Sequence, residues 1–272
     1  MICSVETSAA GLINALYQER GFSDLCRRDY LYHWAGLAKW CGSSSVDVSD
    51  EMCGRYLSWL ESRGKSAKYC HSIRASLMAV RNAAADRGLC ERPKIRLVRV
   101  PESRPVAWSR EEVSSLVAAA GTLNGRYASR RRAEWWQSAI RGAWHTGLRR
   151  GDQLGLERCQ FDCQGLADVV QHKTGKLVPV RLPVDLPESL PQTGRLWPWP
   201  YSYENFRLTF RRIVQVSAVR AGSWKRLRKS AGTAAEELAP GRGHLLLGHE
   251  RRTFEAAYWD RGREPPVALP PV

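Results

Sequence analysis

His145-Thr146-Gly147-Leu148-Arg149-Arg150-Gly151-Asp152-Gln153-Leu154 is the stretch on which the reading of this chain turns. On its N-terminal side, Ala133 to Ala143 is apolar and helical in character. On its C-terminal side, Leu166 to Leu182 alternates, is rich in valine and centres on Thr174-Gly175-Lys176, the pattern of a β-hairpin. Beyond it Trp197-Pro198-Trp199-Pro200 reads as a loop. Tyr203 to Val219 reads as a helix with Phe206, Phe210, Ile213 and Val214 inward. Ser223 is placed to cap a very basic helix, Trp224 to Leu238, and short helices are expected through Tyr258.

Upstream, Ser109 and Glu112 have the spacing of a capping box, with Trp108 and Val113 as its staple. Before them, residues 91–106 (ERPKIRLVRVPESRPV) hold three prolines and five basic residues. Proline disfavours helix at and before itself, so residues 93–106 read as a basic linker. The first ninety or so residues read as helical. Tyr30, Trp34, Leu37 and Trp40 form a core stripe. Ser49 caps a helix carrying Met52, Tyr56, Leu57 and Leu60 on one face, which Gly64 stops. Ser66 caps another, with Ile73, Leu77, Val80 and Ala84 inward, which Gly88 ends. Its outer face holds Lys68, His71, Arg74 and Arg81, either a solvated surface or a face laid on DNA phosphates.

The chain has 272 residues, room for two domains of ordinary size, and 43% of them are hydrophobic, which excludes wholesale disorder. Its net charge is +15, with 15 Lys/Arg against 10 Asp/Glu in residues 1–100 and 27 against 17 beyond. Basic charge in both halves suits a partner that is a long polyanion. No apolar run is long enough to span a bilayer, and Met1 to Phe22 carries Glu6 and Glu19 without a basic-then-apolar export pattern. A cytoplasmic, nucleoid-associated protein with no membrane partner is therefore expected. The eight cysteines are irregularly spaced, which points to reduced thiols. Cys159 and Cys163 lack a second pair at zinc-ligand spacing, so no metal centre is expected.

Several of these segments together resemble the tyrosine recombinase (phage integrase) family. Thr146-Gly147-Leu148-Arg149, with Asp152 three places on, is similar to the family's first box. His172-Lys173-Thr174-Gly175-Lys176 resembles the hairpin that carries its lysine. Lys225-Arg226-Leu227-Arg228 resembles its His-x-x-Arg box, and Leu246-Leu247-Gly248-His249 its Leu-Gly-His box. Tyr258 stands nine residues after His249, at the spacing of the family's nucleophile. The likeness covers nearly the whole chain and is much less specific in the N-terminal helices around Gly64-Lys65-Ser66.

The resemblance implies a mainly α fold with a small β-hairpin sheet, arranged as a two-domain DNA clamp. Residues 1–92 would be the helical (SAM-like) core-binding domain, 93–106 the linker and 107–272 the catalytic domain. It implies a site-specific recombinase or integrase acting on double-stranded DNA with no cofactor, as a homotetramer on paired sites, a monomer in solution being allowed. Tyr258 would attack the phosphodiester and leave a 3′-phosphotyrosyl link. Arg149 and Arg228 would match the phosphate with paired hydrogen bonds, His249 would donate another, and Lys173 would give a proton to the leaving oxygen. Asp152 would orient Arg149. Lys65, Lys68, His71, Arg74, Arg96 and Arg99 are the candidate DNA contacts. Lys225 departs from the pattern: it stands where the family has histidine, and a lysine neutralises charge but is a poor proton acceptor. Glu264-Pro265-Pro266 and Pro270-Pro271 argue against a long helix after Tyr258. The rival readings are a catalytically silent DNA-binding protein on the same fold and a type IB topoisomerase-like enzyme that swivels DNA strands.

Overall fold

A computed structural model describes residues 8–102, 104–183, 185–186 and 190–259. The expectations placed on the first seven residues, Cys3 among them, and on the proline-rich tail fall outside these. The chain divides into two compact units after Glu102.

The first unit holds four helices, α1 (Ala9–Arg20), α2 (Asp24–Cys41), α3 (Asp50–Ser62) and α4 (Ala67–Ala85). Each begins on a serine, Ser8, Ser23, Ser49 and Ser66, whose hydroxyl accepts a backbone N–H three residues on. That bond satisfies one of the donors a helix start leaves bare. The inward faces expected of α3 and α4 are the buried ones: Tyr56, Leu57 and Leu60 pack with Ile73, Leu77, Val80 and Ala84, and Trp34 and Leu37 of α2 join them.

Arg81 corrects the reading of an all-exposed polar face on α4. It is 4% exposed and paired with Asp50 at the start of α3. Asp50 also accepts the backbone N–H of Lys94 at 2.7 Å, so one carboxylate ties α4 and the following segment together. A buried guanidinium requires such a partner, and this one lies 31 residues away, beyond the reach of any local pattern. Asp50→Ala should therefore cost about 1.5–3 kcal/mol, read as a lower urea midpoint of the full chain. A loss under 0.5 kcal/mol would mean that the pair does not hold the unit together. The basic segment after α4 has no regular secondary structure, yet Ile95 and Val98 are buried in this unit's core.

In the second unit the capping box is made in both directions between Ser109 and Glu112, opening α5 (Arg110–Gly121). A two-stranded ribbon follows, β1 (Arg126–Tyr127) against β2 (Arg130–Arg131), and then α6 (Arg132–Thr146) and α7 (Arg150–Leu154). The ribbon, two residues to a strand, is too short to show alternation in the sequence. The valine-rich segment forms the expected hairpin, β3 (Leu166–Val170) antiparallel to β4 (Leu177–Arg181), with Ala167, Val169, Val178 and Val180 inward. Helices α8 (Tyr203–Val216), α9 (Trp224–Leu238), α10 (Gly243–Leu247) and α11 (Arg251–Ala257) complete the described chain.

Trp136 of α6 sits near the middle of this core, with ring centroids 4.8 Å from Phe206 and 6.0 Å from Trp224. The Trp197–Pro200 loop is drawn inward. The Trp197 indole N–H donates to Ser138 and that of Trp135 to the Pro198 carbonyl, so these two buried indole nitrogens are satisfied. Ser223 precedes α9 as expected but makes no side-chain capping bond, which corrects that reading. The architecture is mainly helical with small antiparallel hairpins. Among the described residues no helix is long and apolar enough to cross a membrane.

Candidate active site

The decisive stretch starts where α6 ends. Thr146 closes the helix by donating to the Gly142 carbonyl at 2.7 Å, and Gly147 then takes the left-handed conformation, φ +59°. Glycine adopts it without the clash a Cβ would bring, and here a Cβ would lie 2.7 Å from the Leu247 side chain. The chain can therefore turn sharply and present Arg149 at the start of α7.

Four further segments converge on that point. From α9 comes Arg228, 3% exposed. Its Nη1 donates to the Gly147 carbonyl. Its Nη2 donates to the Leu247 carbonyl at 2.7 Å and faces His249 Nε2 at 2.9 Å. An arginine can only donate, so Nε2 is the acceptor and the proton of the neutral ring is assigned to Nδ1. Gly248, φ +62°, ends α10 and swings His249 into place. Immediately after α11, Tyr258 stacks on the His249 ring, with centroids 4.5 Å apart. Above the Tyr258 ring lie the Arg228 guanidinium at 5.5 Å and the Lys225 ammonium at 5.9 Å. The hairpin turn contributes the exposed Lys173. A cavity of about 490 Å³ is lined by Arg149, Lys173, Lys225, Arg228 and Tyr258 together. His249 lies outside that lining and meets the site through Arg228 and Tyr258.

Electrostatics follow from burial and from crowded positive charge. Arg228 is pushed down to about 10, first by burial and next by Arg149, while Tyr258 and Asp152 oppose the shift. It remains charged at neutral pH. His249 is pushed down to about 4 by burial, then by Arg228, Arg149, Lys176 and Lys225, so the ring is neutral. Burial also lowers His145, helped by Arg141, and it lowers His33 in the first unit. In the unfolded chain these rings titrate near 6.5. Below that pH the unfolded chain takes up protons that the fold refuses. Stability is thus full above about pH 6.5 and falls as pH drops from there towards 4. Carboxylates held low by arginines, such as Glu112 by Arg220, lose their contribution only at more acid pH. The melting temperature should fall between pH 6.5 and 4.5, and His249→Asn should flatten the slope. A melting temperature constant over that range would contradict the assignment.

Asp152 does not hold Arg149. It accepts the backbone N–H of His172 at 2.9 Å and so ties α7 to the hairpin. The partner of Arg149 is Gln171, a fully buried side chain that no sequence pattern singled out. Arg150, also unforeseen, lines the cavity with its guanidinium 3.6 Å from the centre of the Tyr203 ring. Tyr203 lies far along the chain from Arg150, so no local sequence pattern marked the pair.

The expected DNA contacts lie in the first unit. Lys65, Lys68, His71 and Arg99 are exposed. Arg74 donates to the Ile95 and Arg96 carbonyls, and Arg96 pairs with Glu61 at 2.6 Å, so these two strap residues 95–96 onto α3 and α4. Among the described residues no three His, Cys, Asp or Glu side chains gather as a metal site.

No protein-family model and no curated protein matches the chain. Solved structures do. A lambda integrase dimer bound to a COC′ core site superposes with a TM-score of 0.74 at 19% identity, over 94% of this chain and 95% of that one. A lambda integrase tetramer bound to a Holliday junction gives 0.71 and 19%, over 96% and 80%. The XerH site-specific recombinase on a palindromic difH substrate gives 0.68 and 16%, over 94% and 82%. The second unit therefore has the fold of the tyrosine recombinase catalytic domain.

Proposed function

We propose that this protein is a site-specific DNA recombinase of the tyrosine recombinase type, cutting and rejoining duplex DNA through Tyr258. The observation that carries the reading is the surroundings of that phenol: a ring 8% exposed, stacked on His249, beneath Arg228 and Lys225, on the wall of the cavity that holds Arg149 and Lys173. A buried tyrosine beneath two cations and beside two more suits an oxygen that acquires negative charge and attacks an anion.

In the reaction the Tyr258 oxygen bonds to the scissile phosphorus and the bond to the 5′-oxygen breaks. Lys173 protonates the leaving oxygen, and the phenol proton passes to solvent. Arg149 and Arg228 meet the charge on the non-bridging oxygens, and His249 Nδ1–H is the further donor. Lys225 contributes charge, not a proton acceptor. Because the phosphotyrosyl link conserves the bond, a 5′-hydroxyl reverses the step without ATP.

The solved complexes, DNA-bound and in one case tetrameric on a Holliday junction, support double-stranded DNA as partner and four copies on paired sites. The exposed Lys65, Lys68, His71 and Arg99 are the proposed phosphate contacts of the first unit. The test is the chemistry of the product. Mass spectrometry of protein digested after reaction with nicked DNA should find a nucleotide joined to Tyr258 through its 3′-phosphate, with a free 5′-hydroxyl on the other fragment. A 5′-phosphotyrosyl link would overturn the assignment of Lys173. Tight binding with no link would favour the silent DNA-binding reading.

A further inference from the structure

The side chain of Gln171 is fully buried and sits where the parts of the site join. Its Oε1 accepts from Arg149 Nη1, and its Nε2 donates to the Leu247 carbonyl at 3.0 Å. That carbonyl also accepts Arg228 Nη2 at 2.7 Å, and two residues on lies His249. The Gln171 backbone builds the turn that carries Lys173. Its N–H donates to the Lys176 carbonyl at 2.8 Å, and its carbonyl accepts from Thr174 at 3.1 Å and Gly175 at 2.8 Å. One residue thus touches the Arg149 guanidinium, the lysine hairpin and the carbonyl shared with Arg228.

Only an amide meets these demands. The guanidinium offers donors and needs an acceptor, and the carbonyl offers an acceptor and needs a donor. A glutamate would set a second acceptor against the Leu247 oxygen, and an apolar residue would leave that oxygen with one partner fewer and Arg149 unheld. Gly248 leaves room for the amide: a Cβ there would lie 3.1 Å from Gln171 Nε2.

We propose that Gln171 is the positioning residue of this site, setting where the Arg149 guanidinium meets the scissile phosphate and locking it to the Lys173 turn and the Leu247–His249 corner. The proposal rests on the recombinase reading above. Gln171 touches no substrate atom and acts through Arg149. Its loss should therefore weaken charge neutralisation and leave DNA binding intact.

The experiment uses the full chain and the nicked DNA on which wild type forms its adduct. Single-turnover cleavage is measured for wild type, Gln171→Met, Arg149→Ala and the double variant. Each is run with a normal phosphate and with a neutral methylphosphonate at the scissile position. Displacing a charge-bearing group by about 1 Å costs roughly 100-fold, so Gln171→Met should slow cleavage of the phosphate by about that factor with DNA affinity within twofold. The double variant should be no slower than Arg149→Ala. On the methylphosphonate, which has no charge for Arg149 to meet, the loss should shrink to threefold or less. Gln171→Asn, which keeps an amide but is one methylene too short to reach both Arg149 and the Leu247 carbonyl, gives the same comparison should Gln171→Met melt below the assay temperature. Equal slowing on both substrates, or losses that multiply in the double variant, would overturn the proposal and leave the recombinase reading standing. Absence of any wild-type adduct would remove the recombinase reading itself.

Discussion

Arg228→Ala is expected to slow DNA cleavage by about 10³-fold while leaving DNA affinity within a few-fold. A pre-set donor aimed at charge that develops in the transition state is typically worth 10² to 10³ in rate, and Arg228 is more than one donor. It also fixes the tautomer of His249 and stands over the Tyr258 ring. Arg228→Lys should rescue less than tenfold of the loss. The site uses two separate nitrogens of a planar fork, one on the Gly147 carbonyl and one shared between Leu247 and His249, and an ammonium cannot span them. Stability should drop too, by about 2–3 kcal/mol, because buried carbonyls lose charged partners. Cleavage by Arg228→Lys within tenfold of wild type, in a single-turnover assay, would show that charge alone suffices there.

Gly248→Ala should be nearly as damaging, by a different route. The residue has φ +62°, and a Cβ would lie 2.4 Å from the Val178 side chain on the inward face of β4. The left-handed conformation costs an alanine about 1–2 kcal/mol, and forcing a methyl into a packed core adds about 1–3 kcal/mol. A total of about 2–5 kcal/mol is a large share of the stability of an ordinary domain. Whatever moves to make room lies beside Gln171 or displaces His249, so cleavage should fall by more than 100-fold even at temperatures where the variant is folded. Denaturant unfolding and single-turnover cleavage check both halves. A variant as stable and as fast as wild type would mean that the corner is not under the constraint described.

How much of this was legible in the sequence depended on how local the cause was. The Ser109–Glu112 capping box, the hairpin with its turn around Thr174-Gly175-Lys176, and the inward set of α8 rest on spacings of two to four residues, and all are seen as read. Arg81 was misread because helical periodicity places a residue on a face but does not say that Asp50 will meet it. Ser223 has the right identity for a cap but does not form the bond.

The site divides in the same way. Arg149, Lys173, Lys225, Arg228, His249 and Tyr258 were picked out by resemblance to family boxes, and five of them line one cavity while the sixth stacks on its wall. Gln171 was invisible, since it stands next to a box and its partners are 22 residues behind it and 76 ahead. No sequence period links such positions, and only the fold brings them to a single amide. Asp152 has the place of an arginine-orienting acid but spends its hydrogen bond on the hairpin, a choice made by the packing of α7 against residue 172.

Covalent trapping addresses the central claim most directly. The full chain is incubated with nicked duplexes tiled from the DNA flanking its own gene and then denatured, and protein-linked DNA is resolved by size. Wild type should yield an adduct on a defined fragment, and Tyr258→Phe, which lacks only the attacking oxygen, should yield none while binding that fragment equally well. An adduct that persists in Tyr258→Phe would contradict the assignment of the nucleophile. Tight, salt-sensitive binding across the fragments with no adduct from wild type would contradict the recombinase account itself.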